Sequence, residues 1–307
     1  MNLLLFAVTV FVWGTTWFAI ALQLGPVPVL TSIFYRFALA AVLLLPGLVL
    51  LGRLTPTKPR DHLFIALQGL CLFSLNFVCF YNATKYVPSG LVSVVFSLAT
   101  LLNAVNARIF FREPISPRMI VAAVFGIGGL AVLFVPSARV GAVGGDTLIG
   151  LALAATGTAF FSLGNMVSRR NSSAGVPPLT ANAFGMTYAA IVLAVVLVAT
   201  GTPFVAPPDG RYLVALAWLS ILGSIVGFTT YLMLVARMGS GRAAYATVMF
   251  PVIALLLSAL WEGYDWSVAT GVGLGLTVVG NLVAFGALRL PARLAGILSR
   301  TGPAASP

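Results

Sequence analysis

The chain has 307 residues, of which 60% are hydrophobic and only 7% are charged. A soluble domain carries about 25% charged residues, so this chain is predicted to be an integral membrane protein. Its apolar runs are continuous, which excludes the alternating pattern of an outer-membrane barrel. The net charge is +11, as expected for a membrane protein whose cytoplasmic loops are rich in Lys and Arg. Because no basic run is interleaved with aromatic residues, nucleic-acid binding is excluded.

Ten apolar runs are long enough to cross a bilayer as helices, which takes about 20 residues each. The breaks between them carry turn residues such as Gly25-Pro26 and Val176-Pro177-Pro178. The first run lacks the basic region of a signal peptide and is expected to be a retained helix. The predicted spans are residues 3–22, 30–51, 62–84, 87–110, 118–136, 147–168, 180–200, 212–236, 240–260 and 267–288.

The Lys and Arg residues are distributed unequally between the two sides of the predicted membrane. Thirteen Lys and Arg residues fall on the side of the N-terminus and three on the opposite side, while Arg36 lies inside the second span. Lys and Arg are enriched in cytoplasmic loops. The bias therefore predicts a multi-pass protein of the cytoplasmic (inner) membrane with both termini in the cytoplasm.

The two halves of the chain repeat one another at a distance of about 150 residues. Each half has five spans, and because five is odd, the second half must enter the membrane from the opposite side. The sequence thus predicts an all-α polytopic protein with two inverted five-helix repeats, residues 1–140 and 141–290, and a cytoplasmic tail, residues 291–307. This architecture is typical of transporters that bind substrate between the halves. The matched pairs are Pro28 with Pro178, Tyr81 with Tyr231, and Glu113 with Glu262.

Several short motifs resemble the EamA family of the drug/metabolite transporter superfamily, and within it the YddG-type bacterial amino-acid exporters. The resemblance implies that spans 1, 3, 4, 6, 8 and 9 line a central cavity, that spans 2 and 7 complete its wall, and that spans 5 and 10 lie outside. The halves have diverged, since Leu102 and Met186 stand where the other half has Pro251 and Arg36. The motifs are Trp13-Gly14-Thr15-Thr16-Trp17, Pro28 with Arg36, Phe111-Arg112-Glu113-Pro114, and Pro251 eleven residues before Glu262.

All six acidic residues fall in loops or at the ends of spans. Proton-coupled pumps usually place a carboxylate or histidine at mid-membrane, so we expect a facilitator that follows the substrate gradient. Glu113 and Glu262 are expected to have structural roles, as helix caps or as partners of a nearby arginine such as Arg112 or Arg118.

Polar residues inside the spans are the candidates for a substrate cavity. A buried amide or hydroxyl in lipid needs a partner, and hydrogen bonding between helices is the alternative role for each. As a set, they favour a polar, aromatic cavity for a neutral or zwitterionic molecule such as an amino acid. The candidates are Trp13, Thr16, Trp17, Asn76, Tyr81, Ser97, Asn103, Asn165, Tyr231 and Tyr245.

Two further residues lie inside spans where they are unusual. Arg36 either extends to the membrane surface or points inward at a substrate carboxylate. Pro251 kinks the ninth span, either as a static bend or as a hinge. Small residues spaced by four, Ala122 with Gly126 and Gly271 with Gly275, predict close helix packing.

The alternatives to an amino-acid exporter are a broader metabolite or drug exporter, with or without proton coupling, a membrane enzyme, or a channel. No HExxH motif and no serine triad support an enzyme, and no charge ring supports a channel. We therefore expect no enzymatic activity, no cofactor and no metal. The expected partners are amino acids and the lipid bilayer, and the chain is expected to be a monomer or a homodimer.

Overall fold

The computed structural model describes residues 2–139, 145–238 and 245–284. The predicted tail, residues 291–307, lies outside the described residues. All regular structure in the described part is helical. Helices α1 to α5 are Asn2–Leu22, Val29–Leu50, Pro59–Ala83, Ser89–Phe111 and Pro117–Arg139.

The described residues of the second half form five further helices. Helix α8 has three parts, Gly210–Ala217, Trp218–Val226 and Gly227–Met238. The other four are α6 (Gly145–Ser173), α7 (Pro178–Ala199), α9 (Tyr245–Trp261) and α10 (Val268–Ala284).

The helices have the length and composition of membrane spans. Within the described residues, seven segments are long and apolar enough to cross a bilayer, and three shorter apolar segments lie in α5, α9 and α10. An all-helical polytopic membrane protein is therefore confirmed. The helix ends follow from proline and glycine: Pro59, Pro117 and Pro178 begin helices, while Gly52 and Gly201 follow α2 and α7 with φ of 63° and 64°.

Two helices contain π-helical segments at similar depths. Cys71–Leu75 interrupts α3, and Trp218–Val226 interrupts α8. A π turn widens the helix and releases carbonyl groups from regular hydrogen bonding, and such turns are frequent at functional sites. Ser224, for example, donates to the carbonyl oxygen of Leu219, five residues earlier, at 2.9 Å.

The contacts between helices in the first half of the chain have counterparts in the second half. Helix α2 lies against α7 and α5 against α10, so each of these helices contacts the helix five places away in chain order. Helix α1 packs on α9, and correspondingly α6 packs on α4. Helix α3 packs on α7, and correspondingly α8 packs on α2. Of the described residues in the α5–α10 pair, only Met119 of α5 lines one of the two central cavities described below.

Glycine allows α5 and α10 to approach closely. A Cβ atom at Gly129 or Gly273 would lie 2.6 Å from a backbone oxygen across the α5–α10 contact, and one at Gly280 would lie 2.9 Å from the oxygen of Ala122. The predicted packing at Ala122 and Gly126 is thus confirmed. The prediction for Gly271 and Gly275 is wrong, because both face open space and α10 uses its other face.

The α3–α7 contact depends on Gly69, whose added Cβ would clash with the carbonyl group of Gly185. We expect Gly69→Ala to lower the free energy of unfolding by about 1–3 kcal/mol, as overpacking does. Gly128→Ala is the matched control: its Cβ would meet nothing within 4 Å, so it should be neutral or stabilise the helix. Thermal unfolding in detergent measures both, and equal midpoints would contradict the close contact.

Candidate functional site

Two adjoining cavities lie along the middle of the bundle. The larger has a volume of about 470 Å³ and the smaller about 60 Å³. The larger cavity reaches Arg169, whose side chain is 45% exposed, at the end of the molecule where α4 and α6 finish. We call this the basic end. Both cavities share a wall of Trp13, Leu72, Phe96, Phe161 and Phe228, which we call the aromatic partition.

The larger cavity is lined by amide and hydroxyl groups. Four predicted residues lie here, namely Ser97, Asn103, Asn165 and Tyr231. Asn165 donates to the side-chain oxygen of Asn103 at 3.3 Å, and Ser97 donates to the carbonyl of Val94 at 2.6 Å. The bond between Asn165 and Asn103 joins α6 to α4 while both residues face the cavity, whereas the Ser97 bond lies within α4. For the two asparagines, the alternatives offered by the sequence are therefore not exclusive.

The smaller cavity is mainly aromatic. Trp13, Thr16, Trp17 and Asn76 line it together with Arg36. The rings are in mutual contact: the centroid of Trp17 is 5.2 Å from that of Phe80 and 6.4 Å from that of Phe250, with which it is stacked. The indole nitrogen of Trp13 donates to the carbonyl of Gly223 in the π-helical segment of α8, at 3.3 Å.

Arg36 is the most unusual group in the smaller cavity. It is only 2% exposed, so it does not extend to the membrane surface. Its Nε donates to the hydroxyl of Ser224 at 3.3 Å, and its guanidinium lies 4.2 Å from the ring centroid of Phe77. Its Nη1 has no hydrogen-bond partner among the described residues. A buried charge without a counter-ion costs several kcal/mol, so this site favours an anionic group.

Tyr81 lies in neither cavity. Its hydroxyl donates to Gln23 Oε1 at 2.7 Å, and both side chains are almost fully buried. This contact joins the end of α3 to the end of α1, opposite the basic end. We call this the far end. Tyr81 therefore holds helices together instead of lining a cavity.

Glu262 also closes the far end. Its carboxylate accepts from the backbone nitrogen of Ser89 at 2.8 Å and from the hydroxyl of the same residue, while the hydroxyl of Ser258 accepts from the nitrogen of Gly90 at 2.8 Å. The first N–H groups of a helix have no partner within the helix. Glu262 and Ser258 thus cap the first turn of α4. This agrees with the structural role expected of Glu262 from the sequence.

Glu113 forms an ion pair with Arg169, not with the expected Arg112 or Arg118. Helix α4 ends at Phe111, and Arg112 follows in a left-handed conformation with φ of 59°. The end of α6 therefore supplies the partner from 56 residues away. The hydrogen bond from Arg169 lowers the pKa of Glu113, so this exposed carboxylate is ionised at neutral pH.

A chain of polar contacts that the sequence did not reveal joins α3, α6 and α7 near the basic end. Arg170 pairs with Asp61 at 2.7 Å. Asn171 donates to Gln68 at 2.9 Å, and Gln68 donates in turn to Asn182 at 3.1 Å. Asn182 also lines the larger cavity. The two residues of each contact are more than 100 residues apart in the chain, so no local sequence pattern predicts the contact.

The remaining predicted residues lie in α9. Pro251 is inside this helix, next to the buried Phe250 of the smaller cavity. Tyr245 begins the helix, but its side chain lies outside the described part of the structure. Phe77, Phe80 and Phe250 were not predicted, because phenylalanine facing lipid and phenylalanine facing a cavity are alike in sequence.

Long apolar helices around a partly polar central cavity define a membrane transporter of small molecules. The chain belongs to the EamA-like transporter family, whose model matches residues 1–135 and 148–286. The fold is similar to that of one solved crystal structure, with a TM-score of 0.66 and 22% identity, over 94% of this chain and 99% of the other.

Relatives of similar length are themselves described only in general terms. The "Uncharacterized inner membrane transporter YedA" of Escherichia coli is 29% identical over 92% of this chain and 90% of its own. The "Uncharacterized transporter YyaM" of Bacillus subtilis is 24% identical over 85% of this chain and 86% of its own. "Protein PagO" of Salmonella typhimurium is 23% identical over 94% of both chains.

The cap at the far end can be tested by Glu262→Ala. Losing this acceptor leaves the N–H and hydroxyl of Ser89 without their partner, so we expect a loss of about 1–2 kcal/mol in stability. Asp265→Ala is the control, because Asp265 is an exposed acid of the same loop. Thermal unfolding in detergent should separate the two variants, whereas similar midpoints would show that Glu262 does not stabilise the closed end.

Proposed function

We propose that this protein exports aromatic and other neutral amino acids across the bacterial inner membrane, by alternating access and as a gradient-driven facilitator. The observation that carries the proposal is Arg36, a buried cation in an aromatic cavity whose Nη1 has no hydrogen-bond partner in the described part of the chain. A carboxylate binds well to such a guanidinium, and the surrounding rings suit an aromatic or aliphatic side chain.

Alternating access needs one end closed while the other is open. The larger cavity reaches the basic end, which the charge bias predicts to be cytoplasmic. The far end is closed by the Gln23–Tyr81 and Glu262–Ser89 contacts. These features support an inward-facing state, ready to take substrate from the cytoplasm. Export then requires the contacts at the far end to break.

The proposed mechanism uses two inverted repeats, residues 1–140 and 141–290. Three observations support this division. The π-helical segments occur in α3 and α8, which are five helices apart. The helix pairs α2–α7 and α5–α10 join equivalent helices, and the other main contacts occur in matched pairs. The family model also matches two segments of similar length.

A facilitator is favoured over a proton-driven exporter by the location of the acids. Asp61 and Glu113 pair with arginines at the basic end, and Glu262 caps α4 at the far end. None of the six acidic residues lines either cavity. A proton-coupled cycle usually uses a carboxylate within the membrane. A broader metabolite or drug exporter, with or without proton coupling, is the competing function.

Efflux from proteoliposomes distinguishes these functions. Liposomes containing the protein are loaded with labelled phenylalanine, and efflux is followed with and without a pH gradient. We expect efflux down the amino-acid gradient at the same rate in both conditions, and none from protein-free liposomes. Strict dependence on the pH gradient would contradict the facilitator, and absence of amino-acid transport would contradict the substrate assignment.

Trp17→Ala tests whether the smaller cavity binds the substrate side chain. Trp17 is 6% exposed and contacts three other rings. We expect its removal to weaken competition by phenylalanine roughly threefold to tenfold, with a smaller effect on alanine. Trp266→Ala is the matched control, since Trp266 is 44% exposed and lines neither cavity. A variant that only lowers expression would argue against the cavity role.

A further inference from the structure

The chemistry of the two cavities distinguishes the two charged groups of an amino acid. All six acidic residues of the sequence belong to the described part of the chain, so each can be located. Asp61, Glu113, Asp209 and Glu262 are engaged in ion pairs or helix caps, and Asp146 and Asp265 are exposed. No carboxylate is therefore available in either cavity to receive a substrate ammonium group.

The charged residues that line the cavities are both arginines. Arg169 lies at the opening of the larger cavity, and Arg36 lies at the inner end of the smaller one. Arg169 is already neutralised by Glu113. Arg36 has no such partner, so its charge dominates the smaller cavity and attracts anions while repelling cations.

Two neutral acceptors of the smaller cavity already accept hydrogen bonds from the protein. The side-chain oxygen of Asn76 accepts from the backbone nitrogen of Phe77 at 2.8 Å. The carbonyl of Gly223 accepts from Trp13 at 3.3 Å. The ring of Phe77, which could attract an ammonium, already lies against the guanidinium of Arg36. An amine entering this cavity would thus share these acceptors with existing hydrogen bonds and would lie near a positive charge.

We infer that the transporter recognises the carboxylate of its substrate and not the amino group, so that aromatic carboxylates without an amino group are also substrates while the corresponding amines are excluded. This inference rests on the proposed function, because it concerns the same cavity. It extends the substrate class from amino acids to organic acids such as arylalkanoic acids.

Three compounds with the same phenylethyl skeleton test the inference. Phenylalanine has both charged groups, 3-phenylpropionate has only the carboxylate, and phenethylamine has only the ammonium. Binding to the purified full-length protein is measured by the shift in thermal unfolding, since a ligand that binds the folded state stabilises it. Competition against labelled phenylalanine in proteoliposomes is the second measurement.

We expect 3-phenylpropionate to bind and compete as well as phenylalanine, and phenethylamine to be about a hundredfold weaker, because a like charge then lies near Arg36. Phenethylamine that competes as well as phenylalanine would overturn the inference, as would 3-phenylpropionate that neither binds nor competes. If 3-phenylpropionate stabilises the protein but phenylalanine is not transported, the amino-acid function fails while the carboxylate site stands.

Arg36→Gln removes the charge but retains hydrogen-bonding groups, and Arg36→Lys retains the charge. We expect Arg36→Gln to weaken 3-phenylpropionate at least tenfold and to remove the difference between acid and amine, whereas Arg36→Lys should still prefer the acid. Preference for the acid that survives Arg36→Gln would place the carboxylate elsewhere and overturn the assignment. If Arg36→Gln fails to fold, the three-compound comparison on the unmodified protein decides the question.

Discussion

The positive charge of Arg36, buried in the low dielectric of the bundle, is the constraint on which the rest of the smaller cavity depends. A guanidinium cannot lose its proton in such a place, so its surroundings must compensate. The π-helical segment of α8 supplies the hydroxyl of Ser224, and the faces of Phe37 and Phe77 supply weaker attraction at 5.2 and 4.2 Å. After these contacts, the buried Nη1 has no hydrogen-bond partner among the described residues, which supports the proposed binding of a substrate carboxylate.

The two ends of the bundle are held by different chemistry. At the far end, a neutral hydrogen bond and a helix cap close the path, and both can be broken without separating an ion pair. At the basic end, Arg170 with Asp61 and the amide chain through Gln68 fix α3, α6 and α7 to one another. Such polar links are more rigid than apolar contacts, because they hold only in one register. Under the proposed mechanism, α3, α6 and α7 therefore form a rigid group at the cavity opening, and the other helices move relative to it.

The sequence predicted the helices well and the site only in part. Proline, glycine and apolar length carry local information, so each predicted span overlaps a helix of the structure, and the ends that can be compared differ by a few residues. Residues 240–244 of the ninth predicted span and 285–288 of the tenth lie outside the described residues. The position of Arg36 inside a span was also visible. Its contact with Ser224 could not be predicted from the sequence, because the π-helical segment shifts Ser224 by part of a turn.

Tyr81 and Tyr231 occupy equivalent positions of the sequence repeat, yet their roles differ. Tyr81 joins α3 to the end of α1, whereas Tyr231 lines the larger cavity. Glu113 bonds to Arg169 instead of its neighbour in sequence, which only the packing of α4 on α6 determines.

The aromatic partition has a consequence for the kinetics of transport. Its residues, with Leu72 among them, line both the wide chamber (the larger cavity) and the narrow one, so the proposed path of a substrate to Arg36 leads past these side chains. Partly buried rings rotate far faster than helices rearrange, which takes microseconds to milliseconds. Loading is thus divided into a rapid side-chain step and a slow backbone step, each with its own barrier. A bulky molecule that fills the wide chamber but does not pass the rings would block the path without triggering the slow step.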